Sequence, residues 1–374
     1  MKFIKYLIAV FALISILFFP VYAQSYEDNA QGLISEYSDS LFDSLDSDTK
    51  EILSEFGFES ITYDSVFDLS FSDIIDIIKN SFSFRLKENV SSFSRLFALL
   101  IMIIIVNSVR EKNEYGIIDD VFSLIIIIMI SAFLTDTITL LVSVFKVTEK
   151  FMAALTPIIT VILSFSGNIT FSAVYSAMMI GFCQLLAFLS DNVIIPLTGI
   201  YFALIISMNF NEITDAERIS STINNTAAAV LGTVSTLFAL LLSAKNILAK
   251  DIDGVLYKSG KYLLSSIIPV VGNAVSGILS SIVGSLSIVK STIGIFAVIA
   301  VICINLPLFI NIFFCRFSLG AISLVSDSFG EKKTAGLIRC ISKSMRLLSI
   351  LAFFELVTVV ISTGLAVSIR GNVQ

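Results

Sequence analysis

The chain contains no histidine and no tryptophan. Without histidine it lacks the commonest general base, the commonest zinc ligand and the usual partner of a nucleophilic Ser or Cys. Charge is scarce as well, at 14% of 374 residues, where soluble domains carry roughly 25%. A soluble core cannot absorb 56% hydrophobic residues without exposing them, whereas a bilayer is itself an apolar solvent. Cysteine is limited to Cys183, Cys303, Cys315 and Cys340. None falls in the polar front region, so no disulfide framework is implied, and the four read as buried thiols. A phosphate-binding loop is missing too. Gly254 and Gly260-Lys261 have five residues between the glycines, one too many, and Tyr262 follows in place of Ser or Thr, which fails the required pattern. No Cys or carboxylate cluster has metal-ligand spacing. The sequence therefore predicts no cofactor, no metal and no enzyme.

What is present begins with a secretory signal. Lys2 and Lys5 precede an apolar run over 6–19, Pro20 breaks it, and Val21-Tyr22-Ala23 fits a small-residue cleavage site. Residues 1–23 are thus expected to be a signal peptide, with 24–92 delivered outside the cytoplasm. Residues 24–91 hold 15 acids and 4 bases, a net charge of −11. Such a region repels nucleic acid and anionic lipid, so no nucleic-acid partner is expected. Leu33, Ile34, Tyr37, Leu41 and Leu45 recur at helical spacing, as do Ile74, Ile75, Ile77, Ile78 and Phe82. Ser47 or Asp48 is placed to cap a helix over 49–56. A partner surface is expected to complete the order of this small helical region.

From residue 93 onward apolar segments follow closely: 94–109, 121–145, 151–166, 170–190, 193–208, 226–244, 263–289, 292–315 and 347–369. Crossing the hydrocarbon takes about 20 helical residues. The expected class is an all-α polytopic membrane bundle, with two leading helices in 93–145. Residues 150–244 and 261–369 read as two copies of one unit. Lys150-Phe151 leads to Pro157 and Lys261-Tyr262 to Pro269, while Asn192 precedes Pro196 and Asn305 precedes Pro307. Pro157, Pro196, Pro269 and Pro307 sit inside apolar segments, where broken helices are expected to line a cavity or lie under protein. Loop 209–225 has net charge −2, 245–261 has +2 and 316–346 has +4. Basic loops stay cytoplasmic. With 151–166 re-entrant around Pro157, these charges predict that the two copies are inverted relative to one another.

Ionisable residues within apolar segments are costly and commonly functional. Glu355 and Asp136 are the candidates; Glu355 is read either as an ion- or proton-binding group or as a helix-to-helix hydrogen bond. Asp119, Asp120, Glu149, Lys150 and Asp191 are boundary markers at segment ends. Ser276, Ser280 and Gly284 recur every four residues and predict a close helix-packing face.

Several blocks resemble a known family. Gly260-Lys261-Tyr262, the run Ile267-Ile268-Pro269-Val270-Val271-Gly272-Asn273-Ala274-Val275-Ser276, and Ile293-Gly294-Ile295-Phe296 are similar to stage III sporulation protein AE of endospore-forming bacteria. So are Asp191-Asn192-Val193-Ile194-Ile195-Pro196-Leu197 and Ile105-Val106-Asn107-Ser108. The resemblance implies a multi-pass component of the channel complex between mother cell and forespore. It implies residence in the mother-cell membrane engulfing the forespore, with lipid and the other subunits as partners. A homo-oligomer fits this plan. The rival expectation is a stand-alone secondary transporter coupled to ions or protons. No catalytic residues are carried over.

Overall fold

The computed structural model describes, apart from isolated positions, residues 27–66, 94–106, 117–200, 218–243 and 272–368. The expected signal peptide, Pro269, the periodic stretch 74–82 and the loop 245–261 lie outside the described residues.

Two short helices come first, α1 (Glu27–Asp43) and α2 (Ser47–Glu55). Asp46 starts α2: its Oδ1 accepts the Thr49 N–H at 3.3 Å, and its carbonyl accepts that of Lys50. The cap is thus one residue earlier than Ser47, because the side chain must precede the first free N–H groups by two or three positions. Gly57, at φ +77, ends α2 and lets the Phe58 N–H return to the Leu53 carbonyl at 3.0 Å. The Ser38 hydroxyl accepts the Ile61 N–H at 3.0 Å and ties the outgoing chain to α1. Ile34, Leu41, Leu45, Leu53 and Phe58 are buried.

Among the described residues, a short apolar helix, α3 (Phe97–Val106), precedes five helices long and apolar enough to cross a bilayer. They lie within α4 (Ile117–Phe165), α5 (Ile169–Leu189), α6 (Ser221–Ser243), α7 (Gly272–Ser328) and α8 (Lys332–Ser368). A π-helical turn, Ser190–Ile194, extends α5, and Pro196 follows it in an exposed position.

Helices α4 and α7 overturn two expectations about breaks. Each runs without interruption through its proline, Pro157 in α4 and Pro307 in α7. The segment 151–166 is therefore the second half of a continuous helix and not a re-entrant element. Hydroxyls reinforce the backbone beside Pro157, where Thr156 and Thr160 each donate to the carbonyl four residues back at 2.6 Å. That kind of compensation makes proline tolerable in an apolar helix. Glu149 and Lys150 likewise fall inside α4, and Lys290 falls inside α7, where the sequence had suggested gaps. Lys and Glu are good helix formers, so a charge does not end a helix.

Turn geometry and cross-helix contacts fix the directions. Gly167, at φ +82, turns α4 into α5, and the hydroxyls of Ser164 and Ser172 meet at 2.7 Å. Gly330, at φ +84, turns α7 into α8, with the Glu331 N–H donating to the Ser326 carbonyl at 2.9 Å. Both pairs are antiparallel hairpins. Helix α6 lies against α8 through two hydrogen bonds: Asn224 Nδ2 donates to the Lys343 carbonyl at 2.8 Å, and the hydroxyls of Ser235 and Thr358 meet at 2.9 Å. The residue numbers rise together, so α6 and α8 are parallel. An inverted repeat requires these closing spans to be opposed. The start of α6 and the α7–α8 turn also share one end of the bundle, where loop charge had separated them. The reason is that acidic residues contribute little to orientation, and only acids had assigned 209–225 to the far side. The proposed pairing of Asn192-Pro196 with Asn305-Pro307 also joins unlike places, an exposed helix end and a helix interior.

The core runs along α7. Helix α8 packs along it, α4 crosses it, and α1 and α2 cover its first half through Phe296, whose ring centroid lies 5.4 Å from Phe42 and 5.7 Å from Phe58. The described part of the acidic front region thus finds a packing surface within the same chain.

Candidate intramembrane polar site

Helices α7 and α8 are held in register over their whole contact. Near the turn the Ser323 hydroxyl lies 3.4 Å from the Ala335 carbonyl, and in the middle the rings of Phe309 and Phe353 lie 4.9 Å apart. At the far end Gly294 abuts Val367, and a Cβ at residue 294 would collide with Val367 Cγ2. Glycine is needed there because two helix backbones come close. This register sets Asn305 of α7 opposite Glu355 of α8.

Thr148 of α4 completes the arrangement: its hydroxyl and the Asn305 carboxamide both face the Glu355 carboxyl. All three residues are 0% exposed. Asn305 Nδ2 donates to the Val301 carbonyl at 3.0 Å. None of the remaining polar atoms closes a hydrogen bond of normal geometry: Glu355 Oε1 and Oε2, Asn305 Oδ1 and Thr148 Oγ1 are all left over. Three separated stretches of chain thus bring the Glu355 carboxyl, the Asn305 carboxamide and the Thr148 hydroxyl to one place in an apolar interior. Leaving such atoms unsatisfied costs about 1–3 kcal/mol each, more for a charged group.

Depth along α7 can be counted. From Phe296, where α1 and α2 pack, to Arg316 is about 20 residues or 30 Å of helix, the thickness of a bilayer core. Asn305 lies near the middle of that interval. Arg316 lies beside Arg346 of α8, and its neighbour Cys315 lies beside Asp136 of α4. Asp136 is exposed. It therefore belongs to a polar belt at one margin of the apolar zone and is not brought to Glu355. Lys290, only 2% exposed, sits on the other side of Phe296, in the part of α7 that the front region covers.

The remaining candidates are scattered. Ser276, Ser280 and Gly284 fall on the first turns of α7, with side chains outside the described residues. Asn305 had served in the sequence only as a marker for its proline, and Thr148 carried no signal, since isolated hydroxyls are common in apolar helices. Lys146 and Lys150 on α4 flank Thr148 and are exposed. Among the described residues no group of three or more His, Cys, Asp or Glu could hold a metal ion.

Five long apolar helices with a carboxyl buried at mid-depth define a polytopic helical membrane protein. A family model, stage III sporulation protein AE, matches residues 58–369. The chain belongs to that family. Stage III sporulation protein AE of Bacillus subtilis (strain 168) is 23% identical over 264 residues, covering 69% of this chain and 65% of that relative. The match therefore spans just under two thirds of the relative's length. No solved structure matches this chain.

Proposed function

We propose that the chain is a non-enzymatic membrane subunit of a channel or secretion complex joining mother cell and forespore during sporulation. Residues 1–23 act as its signal peptide, and residues 24–92 lie on the extracytoplasmic side, in contact with partner subunits. The family description supports the sporulation context. The observation that carries a subunit role is the pair Lys146 and Lys150. Both are exposed on α4 within two residues of Thr148, and so at the depth of Glu355. Facing lipid at mid-depth would cost roughly 2.5–3.5 kcal/mol for each lysine. A neighbouring chain, or a water-filled passage between chains, removes that cost.

Crosslinking of the full chain in sporulating cells, followed by purification from the membrane, tests this. The wild type should co-purify with other membrane proteins of the sporulating cell. Replacing both lysines with leucine should weaken that recovery and leave membrane insertion intact. Recovery of the wild-type chain as an isolated monomer would remove the subunit reading.

A further inference from the structure

We propose that the exposed face of α4 from Thr135 to Lys150 is one wall of a water-filled passage for anionic solutes. The passage reaches from the α7–α8 turn side of the bundle to its middle. The inference rests on the subunit reading, because a neighbouring chain must supply the opposite wall.

Thr135, Thr139, Ser143, Lys146 and Lys150 are all exposed, and their spacings of four, four, three and four residues set them on one side of α4. Asp136 adjoins this stripe at the margin of the apolar zone. The 15 steps from Thr135 to Lys150 make about 22 Å of helix.

Contacts on two sides of α4 set the depth of the stripe. Thr148 faces Glu355 of α8. On the α5 side the Cys183 thiol donates to the Glu149 carbonyl at 3.8 Å. Cys183 is the fifteenth residue of the 26-residue apolar span Ile169–Ile194, so Lys146 and Lys150 lie near the middle of that span.

The other spans carry nothing comparable. Residues 169–189 of α5, 221–243 of α6 and 296–315 of α7 contain no Asp, Glu, Lys or Arg, and 347–368 of α8 contain only the buried Glu355. Among the described residues, exposed charge at membrane depth is thus confined to one face of one helix. Ionisable groups placed there mark solute pathways, since lipid solvates them poorly.

The stripe suits water better than dry protein. Its first side chains are short, and two of its hydroxyls are satisfied by their own helix. Thr135 donates to the Ser131 carbonyl at 2.9 Å and Thr139 to the Thr135 carbonyl at 3.0 Å. They leave room beside α4 and present no unpaired group to a partner. Burying the two ammonium groups in a dry contact is costly unless acids meet them. A second copy packed on the same face would bring lysine towards lysine, and Glu149, the nearest acid in sequence, is half-buried on the flank. Water solvates both lysines without a matched acid. Rings of lysine in a pore select anions, so the deep end of the passage favours carboxylates, phosphates and other anions.

Thiol labelling of the full chain in membranes from sporulating cells is the test. Thr139→Cys and Ser143→Cys should react with charged, membrane-impermeant methanethiosulfonates about tenfold faster than Leu240→Cys, which faces lipid on α6. The wild-type chain, with its four native cysteines, gives the background. Scaled to its rate with free cysteine, the anionic reagent should outpace the cationic one at Ser143→Cys by about threefold or more. That preference should fall to parity when Lys146→Gln and Lys150→Gln are combined with it. Should the combined variant fail to insert, added salt gives a second readout with both lysines in place and should erode the preference. Labelling at residues 139 and 143 no faster than at Leu240→Cys would overturn the passage. A preference that is absent, or that survives loss of both lysines, would overturn its selectivity for anions. A chain that still co-purifies with other membrane proteins while residues 139 and 143 stay unlabelled would lose the passage alone; the subunit role fails only with recovery as an isolated monomer.

Discussion

Helices α7 and α6 are both apolar enough to span a bilayer, yet the structure uses them in opposite ways. The most apolar window of α7 is 89% buried within the protein, that of α6 only 11%. Helix α7 is enclosed by α8, α4, α1 and α2. Helix α6 exposes Val230, Leu237, Leu240 and Leu241 and is held at its edge by Asn224, Ser235 and the Phe182–Phe238 contact. The lesson is that apolar composition names the solvent as "not water" without saying whether it is lipid or protein. Packing decides, and the two cases carry different penalties. A core helix loses shape complementarity when trimmed, while a lipid-facing helix exchanges one apolar neighbour for another.

Substitutions can break or sharpen this contrast. The largest effect is expected at Phe296, 0% exposed, where α7 meets Phe42 and Phe58. Phe296→Ala should cost about 3–5 kcal/mol and release α1 and α2, seen as earlier unfolding and faster proteolysis within residues 27–62. Unchanged protease resistance there would mean that the front region does not rely on α7. A smaller effect belongs to Gly294, whose added methyl would collide with Val367. Gly294→Ala should cost about 1–3 kcal/mol, and trimming Val367 to Ala in the same chain should recover most of it, as a denaturant titration would reveal. The smallest is expected at Leu240, 58% exposed on α6. Leu240→Ala should shift stability by less than about 0.5 kcal/mol in lipid nanodiscs; a loss as large as that at Phe296 would mean α6 is covered by protein after all.

Much of the bundle was legible in composition. The apolar segments corresponding to α5, α6 and α8 are visible as runs, and Glu355 stands out as a carboxyl inside one. Three things were not legible, each for a physical reason. Glu149-Lys150 and Lys290 read as gaps because charge ordinarily marks the membrane surface; helices longer than the bilayer carry charges in their interior, where protein covers them or they face a partner. Orientation is hidden because the charge of loop 209–225 rests on three acids, which orient a loop weakly, whereas the bond from Asn224 to Lys343 sets the start of α6 against the half of α8 nearer the α7–α8 turn. The company of Glu355 was invisible because Thr148 and Asn305 lie far from it in sequence. Only the register set by Gly294, Phe309 and Gly330 brings Asn305 opposite Glu355.

The docking of α1 and α2 onto Phe296 has a consequence for biosynthesis. Phe58 and Phe296 are separated by about 240 residues of chain, which a ribosome working at roughly 5–20 residues per second takes on the order of 10–50 s to deliver. During that interval Leu41, Phe42, Leu53 and Phe58 have been translated and their docking site has not. The earliest part of this protein to be made is among the last to find its place, so a holding factor for the nascent front segment would matter most before α7 emerges.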